Sequence, residues 1–234
     1  MAVRFEKISS YKGKEFPMPV RQTKLSAGYD FAVVEDIVIP SIYAQIFKML
    51  KGHISDPGFI DRLTDLKLTK ILAELGESNI SILSEKAKKD IVKVLIEEEL
   101  PAVLRFLSEE LTMDLDDMRD FTKKTDTRMT LVPTGVKVEL EENQKMELMI
   151  RSSSSMGAYL MLANGVGLID ADYYDNPGNE GHIFFQIVNM SPYNIRLKKG
   201  DIIGQGVIST YDKTVDDISN SSRDGGLGST TVKK

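Results

Sequence analysis

Apolar positions in the first forty residues alternate with polar ones or fall in short β-branched runs bounded by turn residues. Asp30-Phe-Ala-Val-Val34 and Ile37-Val-Ile39 are such runs and predict strands. Phe16-Pro-Met-Pro-Val20 reads as a stiff extended segment, because each proline holds the residue before it in extended geometry. The pattern returns at Thr130, where Val136, Val138 and Leu140 share one face and Lys145-Met-Glu-Leu-Met-Ile150 follows. Further strands are predicted at 158–162, 182–188, 193–197 and 202–209. Many short strands separated by turns argue for a sandwich or barrel.

Between these two β-rich parts the period changes. Asp56-Pro57 has the form of an N-cap followed by proline at the first helical position, and Phe59, Ile60, Leu63 and Leu66 recur at helical spacing. Ser84 caps a second run with Ile91, Val94 and Leu95. Pro101 opens a third, with Val103, Leu104, Leu107 and Leu111 on one face, and Thr112 a short fourth with Met118 and Phe121. A stretch this long is rarely structureless inside a compact domain, so residues 42–127 read as an inserted α-helical subdomain. It splits a discontinuous β domain, residues 1–41 and 128–211. Residues 212–234 are polar with few apolar anchors, and alone they read as a disordered arm.

Composition narrows the chemistry. The 234 residues include no cysteine and two histidines, His53 and His182, which excludes a disulfide framework and a thiolate zinc site. No apolar run approaches the ~20 residues that cross a bilayer, and the first residues carry no signal core. A cytoplasmic protein without a membrane partner is the expectation. With 30 basic and 35 acidic residues the net charge is −5, which disfavours general affinity for nucleic acid. An anionic ligand would have to be held locally, by a few placed donors.

The most informative stretch runs from Asn164 to Tyr173, Asn-Gly-Val-Gly-Leu-Ile-Asp-Ala-Asp-Tyr. Leu168 and Ile169, both of buried type, deliver the carboxylate of Asp170 ahead of a turn-rich exit, Tyr174-Asp-Asn-Pro-Gly-Asn179. With Gly181–Asn189 behind it, the stretch predicts a hairpin with an acid near its bend. Gly165 and Gly167 leave backbone amides open to a flat ligand. An aspartate at a bend is more often a turn residue than a base, and Asp172, Asp175 and Asn176 are read as turn residues.

This stretch resembles the third of five sequence motifs of the trimeric dUTPase family. The others follow in the family's order: Ala27-Gly-Tyr-Asp-Phe31 resembles the first, Arg151-Ser-Ser-Ser-Ser155 the second, Lys199-Gly-Asp-Ile-Ile-Gly-Gln205 the fourth, and Arg223-Asp-Gly-Gly-Leu-Gly-Ser-Thr230 the fifth. The resemblance covers residues 1 to about 41 and about 128 to 234. It implies a mainly β, jelly-roll-like subunit with the helical insertion between motifs 1 and 2, a homotrimer, and hydrolysis of dUTP to dUMP and pyrophosphate with Mg²⁺.

What the resemblance implies for single residues is specific. Asp170 would be the general base that activates water for attack on the α-phosphorus, and Gln205 would help hold that water; read alone, Gln205 is a polar residue ending an edge strand. Tyr173 would lie against the deoxyribose and leave no room for a 2′-hydroxyl. Asn164, with backbone groups around Gly167 and Ile169, would read the uracil edge, which an amide can match with one donor and one acceptor. Arg151, Ser152 and Ser153 would meet the phosphates. Arg223, Gly228, Ser229 and Thr230 would wrap the β and γ phosphates from an arm swapped between subunits. Asp30 would hold Mg²⁺ through water.

Two positions depart from the family pattern. Leu227 stands where an aromatic residue or histidine usually covers the uracil, and Thr231 where glycine usually follows the Ser-Thr pair. Both predict weaker closure and a raised KM. A dCTP deaminase of the same fold is the nearest enzymatic rival, but its catalytic glutamate falls at Gln186, and an amide cannot shuttle that proton. The other class of reading is a regulatory protein that binds a partner through the insertion, which carries none of the five motifs.

Overall fold

The computed structural model describes residues 3–54, 84 and 114–217. The helices expected after Asp56, Ser84 and Pro101, and the whole of the fifth motif, lie outside them. The chain divides into two compact units, Met1–Ile42 with Met129–Lys234, and Tyr43–Arg128.

The first unit is built of eleven strands among the described residues: β1 (Arg4–Lys7), β2 (Tyr29–Ala32), β3 (Ile37–Ile39), β4 (Thr130–Pro133), β5 (Val136–Glu139), β6 (Gln144–Ile150), β7 (Leu160–Leu162), β8 (Gly167–Asp170), β9 (Phe184–Asn189), β10 (Ile195–Leu197) and β11 (Ile202–Thr210). They pair antiparallel into sheets of order β2-β11-β6-β8 and β4-β9-β7, with the pairs β1-β5 and β10-β3 beside them. The fold is mainly β and jelly-roll-like, with helices in the interposed segment. Alternation drives it: Met146 and Leu148 of β6, Phe185 and Ile187 of β9, and Leu160 and Leu162 of β7 all turn into one shared core.

Three aromatic contacts join the sheets through that core. Phe5 packs on Tyr29 at 5.2 Å and edge-on against Phe31 at 5.7 Å between ring centroids, and Phe31 meets Phe185 at 5.6 Å. Room for these rings comes from β11. A Cβ on Gly204 would overlap the Phe185 ring and stand 2.7 Å from Met149 O, and one on Gly206 would stand 2.9 Å from Phe31 Cε2 and 2.7 Å from Met146 Sδ. The register of β11 on β2 shifts between Ile202 and Gly204, an irregularity of bulge type. This extra residue lets Ile203, Gly204 and Gly206 all face the core, and turns Gln205 to the opposite face. Strict alternation from Ile203 would have buried it. Gln205 therefore sits in mid-strand between β2 and β6, and does not end an edge strand.

Two further expectations are corrected. The acid-bearing stretch and Gly181–Asn189 do not form a hairpin: β8 pairs with β6, whereas β9 pairs with β4 and β7 in the other sheet. The chain crosses between sheets through residues 171–183. Leu168 and Ile169 also do not both turn inward, because the period of two leaves Leu168 54% exposed while Ile169 is buried. The serine run is helical, as α3 (Ser152–Ala158), so the next strand begins at Leu160 rather than 158.

The second unit is described through two helices, α1 (Ile42–Ile54), which begins at the last residue of the first unit, and α2 (Leu115–Thr125). The hydroxyl of Ser41, just before α1, donates to Ser191 O at 2.7 Å. Asp114, rather than Thr112, holds the N-cap position of α2. Asp116 and Asp117 lie in its first turn and Lys123 and Lys124 in its last, signs that suit the helix dipole. The chain leaves α2 at Asp126 in the left-handed region, and Lys48 Nζ donates to both its carbonyl and its carboxylate at 2.8 Å.

Gly204→Ala is expected to destabilise the protein by about 1–3 kcal/mol, the cost of overpacking a closed core. Gly157→Ala, in α3 with nothing within 4 Å of an added Cβ, is expected to be neutral or slightly stabilising. Urea unfolding of both variants checks the contrast.

Candidate active site

Motif residues distant in sequence meet at one end of the four-stranded sheet. Asp30 of β2 lies directly opposite Gln205 of β11. Gln205 in turn folds over Gly28, where a Cβ would stand 2.5 Å from its Oε1. Asp30 is 6% exposed, and its Oδ2 lies 3.3 Å from Arg151 Nη1, in the chain just after β6. That oxygen is buried and makes no hydrogen bond, so the guanidinium is the group that compensates its charge. Arg151 occupies the N-cap position of α3, and Ser152 and Ser153 begin the helix, both exposed.

The stretch around Asp170 forms a second cluster. Asn164 is exposed at a tight turn in which Val166 N donates to Asn164 O at 2.8 Å and Gly165 takes φ +70° with open space around it. Gly167 has a different reason to be glycine, since a Cβ there would stand 3.1 Å from Leu148 Cβ. Ile169 is in the core. Asp170, half-buried, ends β8 opposite Lys145 on the outward face, and Lys145 Nζ bonds Glu147 Oε1 at 3.0 Å.

After Asp170 the chain makes a 3₁₀ turn, Ala171–Tyr173, and Tyr173 enters the core with only 2% of its surface exposed. Its hydroxyl donates to His182 O at 2.9 Å and accepts from Asn179 Nδ2 at 2.7 Å. Asn176 Nδ2 donates to Tyr173 O and to Asn179 Oδ1, each at 2.8 Å, while Asn176 Oδ1 accepts from the amides of Gly178 and Asn179. Asn176 thus acts as a turn residue, and also ties the turn to Tyr173. The far side of the loop is anchored to β1 and β5: Lys137, nearly buried, bonds Asp175 and lies 4.7 Å from the Tyr174 ring centre, and Tyr174 donates to Glu6 at 2.8 Å. Asn179 and Lys137 were not singled out in the sequence, where one is a turn asparagine and the other a charge on a strand.

The two clusters lie apart. Both face outward on the same sheet, but Asp170 stands opposite Lys145 while Gln205 stands opposite Met149, with β6 between them. Two strand spacings and four residues along the strand separate them by roughly 16 Å. One water cannot touch both side chains of a single chain. Among the described residues no three His, Cys, Asp or Glu side chains gather into a metal-holding group.

A family model described as dUTPase matches residues 99–231. The chain belongs to the dUTPase family. Similar relatives include the deoxyuridine 5′-triphosphate nucleotidohydrolase of Lactococcus lactis subsp. lactis, 38% identical over 103 residues that make up 43% of this chain and 68% of that one. That of Finegoldia magna is 31% identical over 123 residues, covering 49% and 82%. Among solved structures, the dUTPase of Streptococcus mutans superposes with a TM-score of 0.49 at 23% identity, over 90% of this chain and 97% of that one. A dUTPase from phage phi11 of S. aureus gives 0.47 at 14%, over 94% and 98%.

Of the five dUTPase motifs, the first, second and fourth meet at one end of the sheet and the third at the other. The histidine that closes the third motif's loop is itself buried. His182 Nε2 accepts from Gly135 N at 2.9 Å, and its ring centre lies 3.9 Å from that of Phe184, with the planes tilted by 46°. Burial holds its pKa down, from 6.5 to about 4, against a smaller opposing pull from Glu180. Glu180 is in turn held below the usual carboxylate range by hydrogen bonds from the Ser9 hydroxyl and amide.

Because the unfolded chain binds a proton at His182 near pH 6.5 and the folded protein only near 4, this residue's contribution is complete above pH 6.5. It is lost as pH falls through that window. The loss is at most roughly 3 kcal/mol. Urea unfolding between pH 7 and 4 should show it, and His182→Gln, which keeps an acceptor but does not titrate, should flatten the slope.

Proposed function

We propose that this chain is a dUTP diphosphatase that converts dUTP to dUMP and pyrophosphate. The observation that carries the reading is Asp170, presented on the outward face of β8 in the same short segment as the open Asn164 turn and the pinned Tyr173. A half-buried carboxylate there can take the proton of a water as the water oxygen bonds the α-phosphorus. The bond from that phosphorus to the bridging oxygen breaks, and pyrophosphate leaves in line. Asn164 and the backbone around Gly167 and Ile169 read the uracil edge, Tyr173 excludes a 2′-hydroxyl, and Arg151, Ser152 and Ser153 receive the phosphates. Arg223, Leu227, Gly228, Ser229 and Thr230 complete the site from the arm.

The donor set fits a magnesium ion carried mainly by substrate phosphates and water, with Asp30 as its one carboxylate. Its buried Oδ2, lacking a hydrogen bond, stands at the cluster where the phosphates are received. Bound there, the ion would neutralise phosphate charge. Deamination of dCTP has no support in the residues, since Gln186 of β9 offers an amide where a carboxylate is needed.

The separation of Asp170 from Gln205 within one chain supports a site assembled between copies; that the assembly is a homotrimer is what the resemblance to the trimeric family implies. The base of one subunit would face Arg151, Gln205 and Asp30 of another. The insertion carries none of the five motifs; it is read as a decoration that packs on the oligomer or shields the site, with the binding of a protein partner as the alternative. No helix among the described residues is long and apolar enough to cross a membrane.

Pyrophosphate release from dUTP, dCTP, dTTP and UTP with Mg²⁺ tests the activity. Turnover of dUTP alone is expected, reduced by about 10²–10⁴-fold or more in Asp170→Asn; a folded protein without dUTP turnover sinks the reading. Co-refolding Asp170→Asn with Gln205→Leu tests the shared site, because mixed oligomers should regain a fraction of the activity that neither variant has alone. If the mixture stays inactive although mixed oligomers form, base and water-holder come from one chain.

A further inference from the structure

We propose that Asn179 is a specificity-determining positioning residue, which holds the Tyr173 ring where it rejects a ribose 2′-hydroxyl. The proposal rests on the reading of Tyr173 given above.

A ring discriminates between two sugars that differ by one oxygen only if it does not retreat from that oxygen. Packing limits how a buried ring tilts, but small shifts along its own plane and the direction of its hydroxyl are left to its polar partners. Here both are opposed. The hydroxyl donates to His182 O at 2.9 Å and accepts from Asn179 Nδ2 at 2.7 Å, so it is bonded from two sides. Asn179 is itself immobilised: its Oδ1 accepts from Asn176 Nδ2 at 2.8 Å and from Gly181 N at 3.2 Å. Every polar group of its amide except one N–H is thereby used in fixing the ring or in fixing itself.

The opposite end of Tyr173 is clamped as well. Its backbone carbonyl accepts from Asn176 Nδ2, and it packs so closely on Gly181 that a Cβ there would stand 2.6 Å away. Gly181, at φ +78°, and Glu180, at φ +60°, turn the chain back so that Asn179 and the His182 carbonyl reach the same hydroxyl. Two asparagines three residues apart thus bracket one tyrosine, Asn176 at its backbone and Asn179 at its tip. Only the second acts on the ring's position. An isolated turn would need none of these bonds to reach Tyr173.

The test is the ratio of kcat/KM for dUTP to that for UTP, with the thermal midpoint recorded for each variant. Asn179→Asp keeps the acceptor for Asn176 and Gly181 but puts an oxygen that can only accept against the Tyr173 hydroxyl, whose one proton can then serve that oxygen or His182 O and not both, so the two-sided hold is lost. The ratio is expected to fall roughly five- to tenfold, what one neutral hydrogen bond supports. Tyr173→Phe removes this bond together with the one to His182 O, so it should lower the ratio at least as far. In the double variant Asn179→Asp should add little, a coupling that general destabilisation does not produce. An unchanged ratio in Asn179→Asp, or full additivity, overturns the proposal. Should Asn179→Asp not fold, Tyr173→Phe decides, since an unchanged ratio there overturns it equally. Tyr173→Leu separates the two levels. If it abolishes selectivity while Asn179→Asp does not alter it, the positioning role fails and the reading of the ring stands. If Tyr173→Leu keeps selectivity, the ring does not choose the sugar, and the proposal falls with that reading.

Discussion

The contact between Phe31 and Phe185 across the two sheets sets the terms for the rest of the first unit. Two large rings 5.6 Å apart need space on the strand that crosses them, and β11 supplies it by having no side chain at Gly204 and Gly206. The same strand carries an extra residue before Gly204, which reverses its phase. Packing and chemistry are therefore decided together. The residue between the two glycines is forced outward, and it is Gln205. Its amide then settles over Gly28, another position where a Cβ would collide, and comes to lie opposite Asp30. Three glycines that look unrelated in the sequence serve one arrangement, in which core rings push the first and fourth motifs into register.

At the other end of the sheet the ordering principle is polar. The loop after Asp170 contains two non-glycine residues in the left-handed region, Asp175 at φ +53° and Glu180 at φ +60°, conformations whose cost the surroundings have to offset. Asparagine side chains hold it from within, and Glu180 with Ser9, Lys137 with Asp175 and Tyr174 with Glu6 hold it from outside. The pair β1-β5 is thus more than an edge. It supplies the posts to which the third motif's loop is tied, and it places a nearly buried lysine there with its charge matched.

Much of this was legible in the sequence, and the losses have physical causes. The strands of the β domain followed from alternation and from turn residues, because one face of each sheet is buried and the period of two is then enforced. The five motifs were legible through their order. What alternation could not reveal was the phase change at Ile203, since a bulge is an exception to the very rule being applied. Nor could it reveal that the chain leaves one sheet at Asp170 and enters the other at Phe184. A turn-rich segment between two apolar runs is the usual signature of a hairpin, and nothing local distinguishes a crossing from a return. The ion pair of Asp30 with Arg151 joins residues on either side of the insertion, beyond any local pattern. Asn179 was invisible for a different reason: asparagine is common in turns for its own backbone chemistry, and only the position of the Tyr173 hydroxyl reveals a second use.

The Asp30 and Arg151 pair also bears on how an acidic protein could hold a triphosphate. A guanidinium 3.3 Å from a buried carboxylate is not a free cation, because most of its field is spent on its partner. The pair together carries no net charge, while the chain as a whole carries −5. On the proposed reading, the phosphates would reach a cluster rich in hydrogen-bond donors but nearly neutral. The hydroxyls of Ser152 and Ser153 can orient such a ligand; they cannot balance it. The missing positive charge has to arrive with the substrate, as its magnesium, or after it, as Arg223 of the arm. Charge would then couple binding to closure, because Arg223 gains little from a neutral cluster and much more once the phosphate charges are in place. On the same reading, the departures at Leu227 and Thr231 would weaken the apolar and backbone parts of that closure while leaving its charge untouched. That is why they are expected to raise KM rather than to abolish turnover.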